Sequence, residues 1–287
     1  MYNVVLITGA STGVGLETSL LLASKGYKVY STMRDVTKKE RLLEAAHQKQ
    51  VDVTVKQLDV TSSESVNRCV QEILDEQGHI DILVNNAGVG FIRTTEQATE
   101  EEIQWQLDVN LMGVMRCTKA VLPSMRQRRS GRVINITSVG GLVGQPFNEF
   151  YCAAKFGVEG YTESLASYVQ PHFQIKFTAI EPGGIVSEFT NNVLQQFQGS
   201  GGMKDDEYAP LLNQYIQGTQ SRASEGIYQT SEEVARVILS CMEMDEPPVR
   251  MRTSPWAEQF TRLKTESDPS GKKLQQQITT ALLGKQD

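Results

Sequence analysis

The chain has 287 residues, 39% of them hydrophobic and 22% charged, enough for one large α/β domain or two small ones. A formal net charge of −6, with Arg126-Gln127-Arg128-Arg129 as the one basic cluster, argues against a nucleic-acid surface; that cluster suits the cationic end of a helix. No apolar stretch approaches the roughly 18–20 residues that cross a bilayer, and Cys69, Cys117, Cys152 and Cys241 lack any metal spacing, so no membrane span and no metal are expected.

Residues 4–8 read as the first strand, apolar on both faces as a sheet covered on both sides requires. So early a strand leaves no room for a signal peptide, and a cytoplasmic location is expected. Thr8-Gly9-Ala10-Ser11-Thr12-Gly13-Val14-Gly15 follows and opens a helix over 13–24. Glycines there let the backbone turn sharply and approach a pyrophosphate, which the helix N-terminus would hold through its free N–H groups. Gly9, Ser11, Thr12, Gly13, Val14 and Gly15 are therefore candidate nucleotide contacts. A second strand, 28–32, ends in Tyr30-Ser31-Thr32-Met33-Arg34-Asp35. An acid at this strand end suits the ribose 2′-hydroxyl of NAD, whereas Arg suits a 2′-phosphate. Met33 stands where the acid is expected and Arg34 follows it, which favours NADP(H) and leaves NAD(H) as the alternative. Asp35 complicates this: 20 residues past Gly15, it is placed to pair with Arg34 or with the ribose.

Further along, helical patterns cover 38–48, 62–77, 99–127, 149–169 and 231–244. Strands fall at 53–58, 82–85, 132–137, 175–180 and 249–253. The span 99–127 is long for one helix and allows two. Such alternation predicts a Rossmann-type α/β fold: a doubly wound, mainly parallel, seven-stranded sheet with helices on both faces. With no linker and no repeat, residues 1–287 read as a single domain. Two stretches interrupt the pattern. One is a long insertion at 187–230, glycine-rich at 199–202 and apolar at Phe189, Leu194, Phe197, Leu211, Leu212 and Ile216. The other is a polar tail at 268–287, expected to be partly disordered.

Tyr151 and Lys155 stand four apart, and Ser138 lies thirteen residues before Tyr151. A Tyr-x-x-x-Lys match alone is near chance, about 0.4 expected in this composition. On a helix the two share one face, so the lysine cation favours the phenolate and draws the phenol toward working pH, as a general acid/base requires. Ser138, at a strand end, is placed to hydrogen-bond a substrate carbonyl oxygen.

With the glycine loop, Leu58-Asp59-Val60, Asn85-Asn86-Ala87-Gly88, Ser138/Tyr151/Lys155 and Pro182-Gly183, the chain resembles the short-chain dehydrogenase/reductase family over residues 3–188. A narrower likeness, carried by 30–35, 131–160 and 268–271, is to the estradiol 17β-dehydrogenase and photoreceptor retinol dehydrogenase group. The resemblance implies hydride transfer with Tyr151 as the acid/base. It places Lys155 on the nicotinamide ribose and Asn110 on a proton-relay water. Asp59 and Val60 would lie at the adenine, and Asn86, Ala87 and Gly88 at the adenosine ribose. Pro182, Gly183, Ile185 and Ser187 would lie at the carboxamide, Ser187 where many members carry Thr. It also implies a homodimer or homotetramer formed through the helices at 99–127 and 149–169.

A lipophilic steroid- or retinoid-like carbonyl or alcohol suits a pocket walled by 139–150 and lidded by 187–230. Ser138, Val139, Phe147, Asn148 and Tyr151 are its candidate contacts. His47, His79 and His172 are the only histidines, so the lid has none with which to grip a distal hydroxyl, which weakens the case for estradiol. Three rivals stand against this reading. They are a nucleotide-sensing regulator that turns nothing over, an NAD-dependent dehydrogenase of a different small alcohol, and a nucleotide-sugar epimerase or dehydratase. The Tyr/Lys pair argues against the first. The last would want a longer chain with a separate substrate domain.

Overall fold

The computed structural model describes residues 3–199, 201–202, 204 and 206–283. Seven parallel strands form one sheet in the order β3-β2-β1-β4-β5-β6-β9. They are β1 (Val4–Ile7), β2 (Lys28–Met33), β3 (Thr54–Gln57), β4 (Ile82–Asn85), β5 (Gly131–Ile136), β6 (Ile175–Glu181) and β9 (Arg250–Arg252). Each predicted strand is present with its ends within three residues of expectation. The order reverses between β1 and β4, and there the doubly wound fold opens a crevice at the carboxyl ends of its strands.

Alternation along β1 assigns the two faces. Val4 and Leu6 join one buried cluster with α3 (Ser63–Gln77), α5 (Gly113–Arg128) and α6 (Glu149–Phe173). Val5 and Ile7 join the other, against α1 (Gly13–Ser24) and α9 (Ser231–Glu243). Period-2 side chains in a strand buried on both faces produce this division. A smaller cluster, with Met33, Leu16 and Leu42, packs α2 (Glu40–Lys49) onto the sheet edge.

The long span at 99–127 is two helices joined by a π turn. α4 (Glu100–Leu107) starts at a Thr99/Glu102 capping box, and Asp108–Met112 widens the ladder before α5 begins. α6 runs past the predicted end to Phe173, with Pro171 inside its last turn. Proline cannot donate to the carbonyl four residues back. Thr279 Oγ1 donates to that Ser167 carbonyl instead, at 2.5 Å.

The insertion at 187–230 is more regular than its glycines suggest. It contains α7 (Glu188–Gly199) and α8 (Ala209–Ser224). Its ends meet in a two-stranded parallel ladder, β7 (Ile185–Val186) with β8 (Gln229–Thr230). Two elements near the C-terminus correct the sequence reading. α10 (Pro255–Thr265) went unpredicted although Ser254-Pro255 is an N-cap followed by an N1 proline. In the tail expected to be partly disordered, α11 (Lys272–Leu283) is helical, and Gln275 Nε2 donates to the Ala166 carbonyl of α6 at 2.7 Å. Leu274, Ile278 and Leu282 recur every four residues in the sequence, a helical period that the polar composition of the tail obscured. The side chain of Leu194, the residue Ser200 and the last four residues lie outside the described residues. No described helix is long and apolar enough to cross a membrane.

Candidate active site

The candidate residues gather at the carboxyl ends of β1, β4, β5 and β6. After β1 the chain turns at Gly9 (φ +69°) and Gly13 (φ +60°), both in left-handed backbone that L side chains rarely adopt. A Cβ at Gly9 would lie 2.7 Å from the Ala87 Cα, and one at Gly15 would run into the Asn86 amide and the Gly9 carbonyl. The glycine loop and the Asn86-Ala87-Gly88 turn are thus one packed unit. Thr8 Oγ1 accepts from the Asn86 and Ala87 N–H groups, at 3.0 Å each. Asn86 Nδ2 donates to the Thr8 and Gly9 carbonyls, at 2.9 Å each. Asn86 therefore holds the loop's shape with its own side chain. Ser11, Thr12 and Val14 lie in the same turn, and Thr12 occupies the N-cap of α1 without a side-chain cap bond. The first-turn N–H groups stay open, as an anion site requires.

At the edge of this crevice Met33 is buried and Arg34 is exposed. The pairing with Arg34 considered for Asp35 does not form. Asp35 accepts from the Thr37 N–H (3.0 Å) and hydroxyl (2.6 Å), and these bonds hold its carboxyl below the usual range. Asp59 accepts through the same oxygen, Oδ1, from the Thr61 N–H and hydroxyl (3.0 and 2.8 Å), and in both aspartates Oδ2 is left for another donor. Val60 packs below Gly113 and accepts from Arg116 through its carbonyl at 3.1 Å.

Ser138, Tyr151, Lys155 and Asn110 converge. Ser138 leaves β5 in extended backbone and its Oγ accepts from the Gly140 N–H at 3.0 Å. A Cβ at Gly140 would lie 3.3 Å from both Ser138 Oγ and Tyr151 Cε1, so the hydroxyl and the phenol ring line the same side of this turn. Lys155 is buried and its Nζ donates to the Ile136 carbonyl at 2.8 Å, 5.7 Å from the Tyr151 ring centroid. Asn110, fully buried in the π turn, accepts from the Val89 N–H (3.0 Å) and donates to the Val89 carbonyl (2.8 Å). Its amide is committed to that peptide, so a relay water would have to use its main chain. A Cβ at Gly88 would lie 2.9 Å from Asn110 Oδ1 and 3.8 Å from Lys155 Nζ, which brings the Asn86 turn against the lysine.

The electrostatics differ from the simple expectation. Burial pushes the Tyr151 phenol up to about 12, opposed by the nearby Ser138 hydroxyl. Burial brings the Lys155 ammonium down to about 8, opposed by Glu159. Desolvation disfavours both charged forms, and here it exceeds the attraction that an i, i+4 pair supplies.

The remaining candidates line the far wall. Val139 N donates to the Pro182 carbonyl at 2.9 Å, joining the Ser138 turn to the Pro182-Gly183 segment. Gly183 faces the Trp256 ring of α10, and Ile185 enters β7. Ser187 Oγ accepts from the Phe189 N–H at 3.3 Å and so starts α7. Phe147 adopts φ +62° and packs with Phe197 and Leu212 under the lid. Asn148 Nδ2 donates to the Tyr215 hydroxyl at 2.8 Å.

Sequence reasoning missed the lid's own contact with the phenol. The Phe189 ring lies 6.2 Å from that of Tyr151, and Phe189 and Val193 of α7 fill the space beside Gly90. Gly88-Val89-Gly90 carried a signal for this, because a second glycine so soon after the turn marks close approach by another element. Tyr215 and Trp256 were missed as well, and neither stands in any local motif.

Comparison with known proteins agrees with this geometry. The short chain dehydrogenase family model matches residues 3–198. The 3-ketodihydrosphingosine reductase of Bacteroides thetaiotaomicron is 37% identical over 257 residues, 88% of this chain and 88% of that protein. Retinol dehydrogenase 8 of Bos taurus is 39% identical over 273 residues, 93% of this chain and 86% of that protein. The 17-beta-hydroxysteroid dehydrogenase type 1 of Homo sapiens is 38% identical over 275 residues, 94% of this chain and 82% of that protein. A variant of actinorhodin polyketide ketoreductase solved with NADPH superposes with a TM-score of 0.74 at 26% identity, covering 88% of this chain and 95% of that one. With its motifs set at one end of a doubly wound sheet, this chain belongs to the short-chain dehydrogenase family of oxidoreductases.

Proposed function

We propose that this protein is an NADP(H)-dependent oxidoreductase that interconverts a lipophilic ketone or aldehyde and its alcohol, with Tyr151 as general acid/base. One observation carries the reading. The Ser138 hydroxyl and the Tyr151 phenol ring stand together against Gly140, below apolar side chains of α7 and α8.

The residues present fit the dinucleotide. The glycine turn and the uncapped start of α1 receive its pyrophosphate, and Arg34, exposed and without a side-chain partner among the described residues, receives the 2′-phosphate. The nicotinamide supplies or accepts the hydride. Everything else falls to the chain. Ser138 donates to the substrate oxygen and Tyr151 gives it a proton as charge develops there, or takes one in oxidation. Lys155 holds the ribose and keeps positive charge near the phenol. The apolar lid excludes water from the reacting centre. Val139, Phe147 and Asn148 shape the substrate side, where the Asn148–Tyr215 pair is the polar feature in an aromatic and aliphatic wall. The relatives named for retinol, steroid and sphingoid chemistry support a long apolar substrate, and the NADPH-bound neighbour supports the cofactor.

The test is loss of reduced-nicotinamide absorbance with a panel of retinoid, steroid and long-chain carbonyls, run with NADPH and with NADH. Turnover of at least one lipophilic carbonyl, better with NADPH, is expected; no turnover with any of them would sink the reading. In the same assay, Arg34→Ala should raise the KM for NADPH by roughly 10- to 100-fold, the loss of one charge-assisted contact, and leave that for NADH unchanged. Equal KM values for the two cofactors in the parent would contradict the assignment of Arg34. We propose also that the chain forms one domain and self-associates through α4, α5 and α6, where Met112, Phe156 and Tyr168 are exposed. A monomer in light scattering at micromolar concentration would contradict that association.

A further inference from the structure

Behind the catalytic residues lies a group of charges that hydride transfer does not require. Glu159 sits one helical turn after Lys155 on α6, and Glu181 is the last residue of β6, directly before Pro182. Both are buried, Glu181 completely. Neither carboxylate oxygen of Glu159, nor Oε1 of Glu181, has a hydrogen-bond partner of sound geometry among the described residues. One guanidinium reaches Glu181 and none reaches Glu159 among the described residues. Arg252 of β9 donates through NH1 to Glu181 Oε2 (3.1 Å) and to the Pro269 carbonyl (2.8 Å), while its Nε lies 3.0 Å from Glu258 Oε2 of α10.

The other charged groups around Glu159 are accounted for. On its own helix, Lys155 is turned to the Ile136 carbonyl, and Glu163 pairs with Arg250 of β9 at 3.0 Å. Arg250 also faces Asp268 at 4.0 Å. The Ser138–Gly141 turn brings no charge, and at the end of β5 Thr137 donates its hydroxyl to the Ile180 carbonyl at 3.0 Å. Two buried carboxyls stand on α6 and β6, which pack against each other, with one cation that a third carboxylate already shares. Like charges so placed do not both ionise. Burial and Glu181 push Glu159 well above the usual carboxylate range, and burial raises Glu181 to about 7 against the pull of Arg252.

Position gives the pair its reach. A Cβ on Gly141 would lie 2.9 Å from Glu159 Cγ and 3.2 Å from the Lys155 carbonyl, so Glu159 is wedged beneath the turn that carries Ser138. Glu181 anchors the strand end that leads to Pro182-Gly183. We propose that Glu159 and Glu181 share one proton between α6 and β6, and that this pair acts as a positioning device. It holds the Ser138 turn, the Tyr151/Lys155 helix and the Pro182 segment in register. The inference rests on those residues being the catalytic ones, as proposed above.

Glu159→Gln tests it with two readings. The first is thermal unfolding between pH 5 and pH 9, which needs no turnover. A carboxyl whose acidity is weakened by folding contributes stability at low pH and loses it as pH rises through the folded value. The parent should therefore lose melting temperature against Glu159→Gln as pH rises, the gap growing by a few degrees. A gap constant with pH overturns the shared proton. The second is the pH profile of kcat/KM. In the parent, ionised Glu159 supports the Lys155 ammonium at high pH. In Glu159→Gln that support is gone, so the alkaline limb should move to lower pH while the rate at pH 6 stays within about twofold, the amide being isosteric with the protonated acid. Coincident limbs overturn the positioning role. If Glu159→Gln does not fold, Glu181→Gln carries the first reading in the same direction. If no carbonyl is turned over, the catalytic reading fails separately and the melting curves still decide on the proton.

Discussion

Tyr151→Phe is expected to lower kcat by roughly 10²- to 10⁴-fold, the range that one positioned acid/base contributes, with the Kd for NADPH unchanged within about twofold. The substitution removes one oxygen and keeps the ring, so the contact with Phe189 and the packing of α6 survive. What disappears is the hydroxyl proposed above to deliver the proton. Fluorescence titration with NADPH reads binding, and initial rates at saturating carbonyl read kcat. Activity near the parent level would refute the role of Tyr151, and parallel loss of binding would show that the ring orders the cofactor site instead. With its phenol pushed up to about 12, Tyr151 keeps its proton throughout the neutral range. That is the form reduction consumes, so reduction should outpace oxidation at pH 7 for the same substrate pair.

Gly9→Ala should cost about 2–4 kcal/mol of stability, the range for a clash imposed on special backbone. Two penalties coincide. The residue sits at φ +69°, and the added methyl would meet main chain, the Ala87 Cα at 2.7 Å. Flexible side chains can step aside from such a contact, but Ala87 is held through Thr8 and the neighbouring Asn86 amide. Differential scanning calorimetry should report a fall of roughly 10 °C, at about 2–4 °C per kcal/mol for a chain of this size. Cofactor affinity should fall with it, because the turn that would cradle the pyrophosphate has to move. A melting temperature within a degree of the parent would show that the loop yields more readily than these contacts allow.

The sheet was legible because its strands are short β-branched runs, and helices such as α3 and α9 because their apolar residues recur with a 3.6-residue period. The candidate trio was legible because a helix brings positions four apart together. The lid was not, since its helices are held by scattered contacts such as Phe189 on Tyr151 and Tyr215 on Asn148, which no local spacing announces. The local bonds of Asp35 and Asp59 were not legible either: each accepts through Oδ1 from the threonine two residues on. The i, i+4 spacing of Tyr151 and Lys155 says nothing of burial, which here pushes the phenol up where the lysine alone would draw it down.

The β7–β8 ladder has a consequence for how such a chain can change over time. Ile185 pairs with Gln229 and Val186 with Thr230, so the two ends of the insertion are fastened side by side before either helix begins. The span between them is an exchangeable cassette. Doubling its length adds only about 0.6 kcal/mol of closure entropy, and none of the seven strands has to shift. Grafting a related chain's segment between Val186 and Gln229, with Ser187 and Phe189 retained, should change substrate choice while the proposed Ser138/Tyr151/Lys155 centre keeps its contacts.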